Sequence, residues 1–579
     1  MDGCLPSLRT FINNNMRGSL LVGYLAAAKL IVAKGPFLQQ ISSTQWIFGN
    51  DLWNVTQGSV YATKLQYQGS DAVGSAVGHY AGYDGEANFK YTSASIVSNS
   101  SKFLDISFSS SYGDLHWVIY PKLAGAYQYF VNKALPDISI FRTLWRLNPD
   151  RFTHGYTTTK DAPLPDWSLY ANATEVQDET FQTTDGSYIT KYDFANYVRE
   201  RDFVGVYGDK IGSWYIHPSN EYQPGNHLSQ TLTVHRESAT GDAVQLNVVQ
   251  DTSHFRLGIK TPQPVGKIWG PWLWYLNNGS IHDARKRTIV ERKRWPYAFL
   301  NDTEYQSRGN IKGKILLSDG RPGAGAAIFL GDTKTSNRLL AQGSNYYYTT
   351  YADDSGKFSF DNVRSGKYGL YAWSNGGALA DVYTNFTTNN VSITNGKTNN
   401  LRTLIWNVPT GRTSIFQIGA FDKKALGFTY GGTPNQHGLT EKVPANLTFI
   451  VGKSKVSDWY YASSKLGSWE IIFNAKHPGG SATALLSVSL AGYSQSTALT
   501  IYLNGNTTIG TINKNIFTSD PAVYRSGTSS GEWRFVQYEI PTFQLRDGAN
   551  VLSFTTDRYT QWRGILWDSI ILEWVKINS

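Results

Sequence analysis

Short segments in which apolar and polar residues alternate recur along most of the chain and predict β-strands. Residues 104–109 (LDISFS) and 499–503 (LTIYL) have this period of two, and 115–120 (LHWVIY) is a short apolar run. Gly, Asn, Asp and Ser lie between such segments and favour tight turns. Helical periodicity is confined to short stretches. The pattern therefore predicts an all-β protein built from sandwiches or barrels.

The pattern and length of the predicted strands change along the chain, and these changes predict three domains after a leader at residues 1–36. Residues 37–306 form the largest segment and predict a β-sandwich. Residues 307–402 have the strand–turn–strand rhythm of a small seven-strand immunoglobulin-like sandwich. Residues 403–579 contain longer strands, which are sufficient for a jelly roll.

The leader has the features of a secretory signal. An apolar run at 18–33 (GSLLVGYLAAAKLIVA) follows Arg17 and contains Lys29. It falls short of the roughly 20 uninterrupted apolar residues that a membrane span needs. We expect a signal that begins at Met16, with residues 1–15 as a gene-model extension, and hence a secreted protein without a membrane anchor after processing.

The amino-acid composition limits the kinds of molecule that we expect the protein to bind. The chain has 579 residues with 53 Lys+Arg against 44 Asp+Glu, a net charge of +9, which favours a polyanion. The densest basic stretch, 285–294, is broken by an acid and by apolar residues, so we interpret it as a solvated face and expect no nucleic acid partner. Cys4 is the only cysteine, so no intrachain disulfide can form, and nine Asn-x-Ser/Thr sequons agree with a secreted glycoprotein.

Basic residues alternate with aromatic and apolar residues in the first predicted domain. In 141–156 (FRTLWRLNPDRFTHGY), strand periodicity would place Arg142, Leu144 and Arg146 on one face. Cations bind carboxylates and aromatic rings stack on sugars, so this pattern suits a sugar acid. Surface salt bridges and core aromatic residues would give the same pattern, and both interpretations stay open from the pattern alone.

Five motifs resemble one family over nearly the whole chain, from about Phe37 onwards. They are 145–148 (WRLN), 190–193 (TKYD), 203–209 (FVGVYGD), 269–277 (WGPWLWYLN) and 305–309 (YQSRG). The chain resembles the rhamnogalacturonan lyases of polysaccharide lyase family four, especially their secreted fungal branch. This resemblance implies a catalytic β-sandwich, a fibronectin-III-like domain and a carbohydrate-binding-like jelly roll.

The resemblance also implies an activity. Family members cleave rhamnose-α-1,4-galacturonate bonds of rhamnogalacturonan I, a pectin, by β-elimination, which leaves an unsaturated galacturonate end. We therefore expect a rhamnogalacturonan endolyase that acts as a monomer on an acidic polysaccharide. No cofactor is required if arginine neutralises the uronate, and a structural calcium ion stays an open alternative.

The same resemblance assigns candidate site residues. Lys191 matches the base that removes the proton from C5, and Arg142 and Arg146 match the arginines that contact the substrate carboxylate. His254 is the best match for the acid, and Tyr275 is a second candidate donor. A lysine acts as a base only when it is neutral, which requires desolvation or nearby cations.

Arg199 and Arg201 follow Lys191 closely in sequence, and we expect them and Trp274 to contact the substrate. The chain departs from the family pattern at Val248 and Val249, where members tend to have tyrosine before the histidine.

Two alternatives remain at this stage. The first is a catalytically silent carbohydrate-binding protein, which the missing tyrosines motivate. The second is a glycoside hydrolase that uses two carboxylates. Its candidates are Asp178, Glu179, Glu200 and Asp202.

Overall fold

The computed structural model describes residues 35–75, 77–200, 202–251, 254–333, 345–479 and 482–576. Residues 1–34 of the predicted leader and Arg201 lie outside the described residues. In the described part the chain consists mainly of strands, so the predicted all-β class is confirmed.

Within the described residues, the first domain contains 24 strands and two α-helices. The strands are β1 Phe37–Ser42, β2 Gln45–Gly49, β3 Trp53–Gln57, β4 Ala62–Tyr67, β5 Ser70–Asp71, β6 Tyr80–Tyr83, β7 Ala87–Asn88, β8 Ser93–Asn99, β9 Leu104–Ser109, β10 Gly113–Ile119, β11 Gly125–Asn132, β12 Ile140–Leu147, β13 His154–Tyr156, β14 Asp161–Pro163, β15 Thr174–Gln177, β16 Thr180–Gln182, β17 Tyr188–Thr190, β18 Asn196–Tyr197, β19 Phe203–Gly208, β20 Ile211–Ile216, β21 Gln230–Thr231, β22 Val234–Arg236, β23 Ala243–Asp251 and β24 Ile268–Asn277. The helices are α1 Ile281–Arg294 and α2 Thr303–Gln306.

Two sheets of the first domain pack face to face as a sandwich. A nine-stranded sheet has the order β14-β13-β19-β20-β24-β11-β10-β9-β8, and a five-stranded sheet has the order β22-β23-β12-β6-β7. Large aromatic side chains, among them Trp117, Trp145 and Trp274, fill the space between them. Helix α1 covers the outer face of the nine-stranded sheet through a second apolar cluster that includes Trp214 and Ala284.

The second domain is a small sandwich of a three-stranded and a four-stranded sheet, with the orders β28-β25-β31 and β27-β26-β29-β30. Its strands are β25 Arg308–Leu317, β26 Ala327–Gly331, β27 Tyr348–Tyr351, β28 Lys357–Arg364, β29 Gly366–Trp373, β30 Phe386–Ile393 and β31 Thr398–Trp406. This fibronectin-III-like architecture agrees with the strand–turn–strand pattern of residues 307–402.

The third domain packs two five-stranded sheets around one apolar core, as a jelly roll does. Its strands are β32 Arg412–Gly419, β33 Leu447–Ile450, β34 Ala462–Ser463, β35 Gly467–Ala475, β36 Ala482–Tyr493, β37 Ala498–Leu503, β38 Thr507–Ile512, β39 Arg534–Ile540, β40 Gly548–Arg558 and β41 Ile565–Lys576.

Candidate active site

Strand β12 supplies one wall of the candidate site. Phe141 and Trp145 point into the sandwich core and are 0% exposed, so the alternate residues Arg142, Leu144 and Arg146 point out of the sandwich. Leu144 belongs to a separate apolar cluster on that outer face. The two arginines therefore share the outer face of the five-stranded sheet, as the alternation predicts.

A small three-stranded sheet, β15-β16-β17, carries Lys191 onto this face. The chain leaves β17 in a 3-10 turn, Lys191–Phe194, which Thr190 caps by accepting a hydrogen bond from the Tyr192 amide. The Tyr192 ring packs in the same apolar cluster as Leu144. The turn thus anchors Lys191 above β22, the edge strand of the five-stranded sheet.

Asp178 holds the Lys191 amine. Lys191 Nζ donates to Asp178 Oδ1 at 2.9 Å, and Tyr192 Oη donates to Asp178 Oδ2 at 2.5 Å. Burial acts to raise the pKa of Asp178, but the hydrogen bonds from Tyr192 and Lys191 and the charge of Arg525 outweigh burial and lower this pKa. Asp178 is therefore an ionised carboxylate beside the Lys191 amine.

His254 is oriented by a second carboxylate. Its Nδ1 lies 2.6 Å from Asp251 Oδ2, which also accepts a hydrogen bond from Thr231 Oγ1 at 2.8 Å. An ionised carboxylate only accepts, so Nδ1 carries the hydrogen of this bond. This arrangement leaves Nε2 as the ring atom of His254 that can meet a substrate.

A half-buried histidine that the sequence analysis missed, His235, lies among the candidate residues, and its Nδ1 is buried without a hydrogen-bond partner among the described residues. His235 points to the outer face from β22, in register with Val244 and Arg146 on the neighbouring strands. Burial is the main cause that lowers the pKa of His235, to about 3. Further lowering comes from the charges of Lys191, Arg146, Arg142 and His254. His235 is therefore a neutral imidazole that is within electrostatic range of all four of these predicted site residues.

The two arginines of β12 differ in their partners. Arg146 Nη1 donates to Glu237 Oε2 at 2.6 Å, and its Nε lies 3.4 Å from Tyr80 Oη. Arg142 Nε is buried and has no hydrogen-bond partner among the described residues. Glu237 thus pairs with Arg146, whereas no carboxylate of the described residues pairs with Arg142, so Arg142 is the arginine whose charge is available to an anionic ligand.

The third domain adds a cation that the sequence analysis also missed. Arg525 Nη2 lies 3.3 Å from Asp178 Oδ2, and its Nη1 donates to the His254 carbonyl at 3.1 Å. The adjacent Tyr524 carbonyl accepts a hydrogen bond from Gln177 Nε2 at 2.6 Å. Two domains therefore build the site together.

Two predicted residues of β24 lie elsewhere, which corrects their assignment. Trp274 is 0% exposed in the sandwich core, where its ring stacks on Trp145 at 4.9 Å, so it cannot stack on a substrate. Tyr275 lies on the other face of the nine-stranded sheet, where its hydroxyl donates to Asp283 Oδ2 of α1 at 2.8 Å. Burial raises the pKa of Tyr275, and Asp283 raises it further. The structure does not bring Tyr275 together with Lys191.

Arg199 also has a different role from the predicted one. Its guanidinium donates to the backbone carbonyls of Asn220, Gln223 and Gly225 at 2.5–3.2 Å and to that of Tyr347 in the second domain at 3.3 Å. These bonds fix a loop between two domains, so Arg199 is a structural residue here. Arg201 lies outside the described residues.

The same loop carries a buried ion cluster between the first two domains. Glu221 accepts hydrogen bonds from both Arg308 nitrogens, Nη1 at 2.7 Å and Nη2 at 2.9 Å, and from Arg364 Nε at 2.8 Å. Burial acts to raise the pKa of Glu221, but Arg364 and Arg308 outweigh it and lower this pKa to about 2. The cluster gives the loop at 221–230 a structural function.

The two-carboxylate alternative finds little support. A general acid of that mechanism needs a raised pKa, whereas the pKa of Asp178 is lowered. Glu179 accepts a hydrogen bond from Ser238 Oγ at 3.0 Å, and Asp202 accepts one from the Phe203 amide at 2.8 Å.

No group of three or more His, Cys, Asp or Glu side chains in the described residues could hold a metal ion. Within the same ranges, no helix is both long and apolar enough to cross a bilayer.

Comparison with known proteins identifies the family. Models of polysaccharide lyase family 4 match residues 318–401 as domain II and 414–572 as domain III. A rhamnogalacturonate lyase of Dickeya dadantii is 30% identical over 456 residues, which covers 76% of this chain and 75% of that protein. Rhamnogalacturonate lyase B of Emericella nidulans is 23% identical over 501 residues, or 72% and 73% of the two chains. A probable rhamnogalacturonate lyase B of Aspergillus niger is 27% identical over 335 residues, or 51% of this chain and 45% of that one. The chain therefore belongs to the rhamnogalacturonate lyases of polysaccharide lyase family four.

Proposed function

We propose that this protein is a secreted pectin-degrading endolyase that cleaves rhamnose-α-1,4-galacturonate bonds of rhamnogalacturonan I by β-elimination. The observation that carries this proposal is the chain of contacts that joins Lys191 to Asp178, Asp178 to Arg525 and Arg525 to the backbone of His254. These residues lie against the outer face of the five-stranded sheet, which also carries Arg142 and Arg146. An amine, an imidazole and guanidinium groups on one face of a sheet are the groups that proton removal beside a carboxylate requires.

Lys191 is the proposed base. Its neutral amine takes the proton from C5 of galacturonate, and the electron pair of the C5–H bond forms the new C4–C5 double bond. Asp178 keeps two further partners, Tyr192 and Arg525, when Lys191 is neutral. The negative charge of Asp178 therefore has partners in both protonation states of the Lys191 amine. This lowers the free-energy cost of a neutral lysine, because the carboxylate is not left unpaired.

Arg142 is the proposed ligand of the substrate carboxylate, since no carboxylate of the described residues pairs with it, whereas Glu237 pairs with Arg146. As the C5 proton leaves, negative charge grows on that carboxylate, and a fixed guanidinium stabilises it more in the transition state than in the ground state. Arg146 contributes charge from beside it while Glu237 holds its position.

His254 is the proposed proton donor to the departing O4. The bond between C4 and O4 breaks, and a proton from Nε2 completes the new hydroxyl group. Asp251 accepts from Nδ1 at 2.6 Å and stabilises the protonated ring before the transfer.

Incubation of the full chain with rhamnogalacturonan I tests this function. We expect a rise in ultraviolet absorbance from the unsaturated uronide, and products whose masses sum to the mass of the substrate. Products with one added water would instead support the two-carboxylate hydrolase, and binding without products would support the silent binding protein. A fast fall in viscosity checks internal cleavage, and N-terminal sequencing of protein from culture medium checks secretion.

A further inference from the structure

A second groove lies at the edge of the first domain, beside the candidate active site. It has a volume of about 750 Å³ and runs between β13–β14 and the short 3-10 turn Trp167–Asn172. Its lining is mostly apolar and includes Pro149, Leu164, Trp167 and Tyr170. The Trp167 side chain is unusual among the tryptophans, because it is 50% exposed.

The exposed Trp167 ring is held in a fixed position. Its Nε1 donates to the Ser238 carbonyl at 2.9 Å. Gly241, at φ +75°, packs so closely on the ring that a Cβ there would lie 2.7 Å from Cδ2. One side of the ring therefore meets backbone, while the ring also lines the groove. A rigid aromatic face costs little conformational entropy when a ligand stacks on it.

The groove is connected to the candidate active site through two neighbouring residues. Ser238, whose carbonyl holds Trp167, donates through Oγ to Glu179, the residue next to Asp178. Glu237, which precedes Ser238, binds Arg146 at 2.6 Å. A polysaccharide chain that crosses the catalytic face at Arg146 would meet Trp167 next along this edge.

Charges in the groove favour a neutral sugar. The wall contains the carboxylates of Asp150 and Asp166. The cation there, Arg236, is turned away to the backbone carbonyls of Pro165 and Gly241 at 3.0 and 2.9 Å. A uronate would be repelled by the carboxylates, whereas a neutral sugar with an apolar face would stack on the indole.

We propose that Trp167 forms a distal subsite that binds a neutral sugar residue, the deoxyhexose of the alternating backbone, by stacking. This inference rests on the proposed function, because it identifies the ligand as a part of the same polysaccharide. The subsite adds a binding contact to a long polysaccharide chain and takes no part in the chemical step.

The test compares Trp167→Ala, Trp167→Phe and a control, Leu169→Ala, on polymeric rhamnogalacturonan I and on the shortest oligosaccharide that the wild type cleaves. Leu169 is an exposed apolar residue of the same turn that does not line the groove. For Trp167→Ala we expect KM on the polymer to rise about ten-fold with kcat unchanged, which corresponds to about 1.4 kcal/mol of lost binding. Trp167→Phe should keep most of the affinity, and KM on the short substrate should not change.

A KM on the polymer equal to that of wild type would overturn the proposal, and so would the same rise in KM on both substrates. A binding measurement separates this inference from the proposed function. In affinity electrophoresis, rhamnogalacturonan I should retard Trp167→Ala less than it retards wild type. It should retard Leu169→Ala as much as wild type. This loss of retardation would support the subsite even if the wild type proved inactive, and unchanged retardation would refute it.

Discussion

Arg525 of the third domain contacts Asp178 of the first, with Nη2 at 3.3 Å from Oδ2. Its Nη1 at the same time donates to the carbonyl of His254 at 3.1 Å. One guanidinium thus connects the carboxylate that holds the proposed base with the backbone of the proposed proton donor. The jelly roll is therefore a part of the candidate active site as well as a carbohydrate-binding-like module.

Loss of this connection should reduce activity while the fold persists. For Arg525→Ala we expect kcat/KM on rhamnogalacturonan I to fall about 100-fold, which corresponds to about 2.7 kcal/mol of transition-state stabilisation. Arg525→Lys should recover a part of the loss, since it keeps the charge but not the fork of donors. The exposed Arg546 of the same domain provides the control, because Arg546→Ala should behave as wild type. Full activity of Arg525→Ala would exclude a role of Arg525 in catalysis.

The pair of His254 and Asp251 should act mainly on kcat. Protonation of the leaving O4 occurs only in the transition state, so Asp251→Asn should lower kcat about 100-fold with little change in KM. The amide keeps the size of the side chain but no longer compensates a protonated imidazole. Steady-state kinetics on one defined oligosaccharide measure both constants. A change in KM alone would mean that His254 only binds the substrate.

The sequence predicted the fold and a part of the site for identifiable reasons. Period-two alternation in β12 places Arg142 and Arg146 on one face, and this needs only local geometry. Trp274 and Tyr275 were wrongly assigned to the site, because β24 is apolar almost throughout, a pattern typical of a strand buried on both faces. Such a strand does not reveal from its sequence which side chains face a substrate. Arg525 lies 347 positions from Asp178 in sequence, so only the packing of two domains brings them together.

The ion cluster at Glu221 should stabilise the junction of the first two domains. Glu221→Gln leaves two buried guanidinium groups without their counter-charge, so we expect a loss of about 3 kcal/mol in the free energy of unfolding. Urea denaturation at pH 7 measures it. The exposed carboxylate Asp361 serves as a control, since Asp361→Asn should change stability little.

The same cluster gives a pH dependence of known sign. Because the folded-state pKa of Glu221 is about 2 and its ordinary value is 4.5, this contribution is fully present above about pH 4.5. It is lost as the pH falls from there through about 2. The stability difference between wild type and Glu221→Gln should therefore shrink over that window. A constant difference down to pH 2.5 would contradict the assigned charge of Glu221.

His235 should make the stability of the folded protein depend on pH in a higher pH range than Glu221 does. Its folded-state pKa is about 3 against an ordinary 6.5, so the unfolded chain binds a proton that the folded protein does not. Its effect on stability is absent above about pH 6.5 and becomes destabilising as the pH falls from there towards 3. In urea denaturation, His235→Gln should lose less stability than wild type between pH 7 and pH 5. Equal losses would show that His235 is not buried as a neutral group.

The central claim is that the Lys191 amine removes the C5 proton, and the initial rate of ultraviolet absorbance on rhamnogalacturonan I tests it most directly. We expect Lys191→Ala to lose at least about 1,000-fold in kcat. Lys191→Ala should unfold at the same temperature as wild type. The exposed control Lys210→Ala should retain wild-type turnover. Turnover of folded Lys191→Ala close to that of wild type would contradict the account.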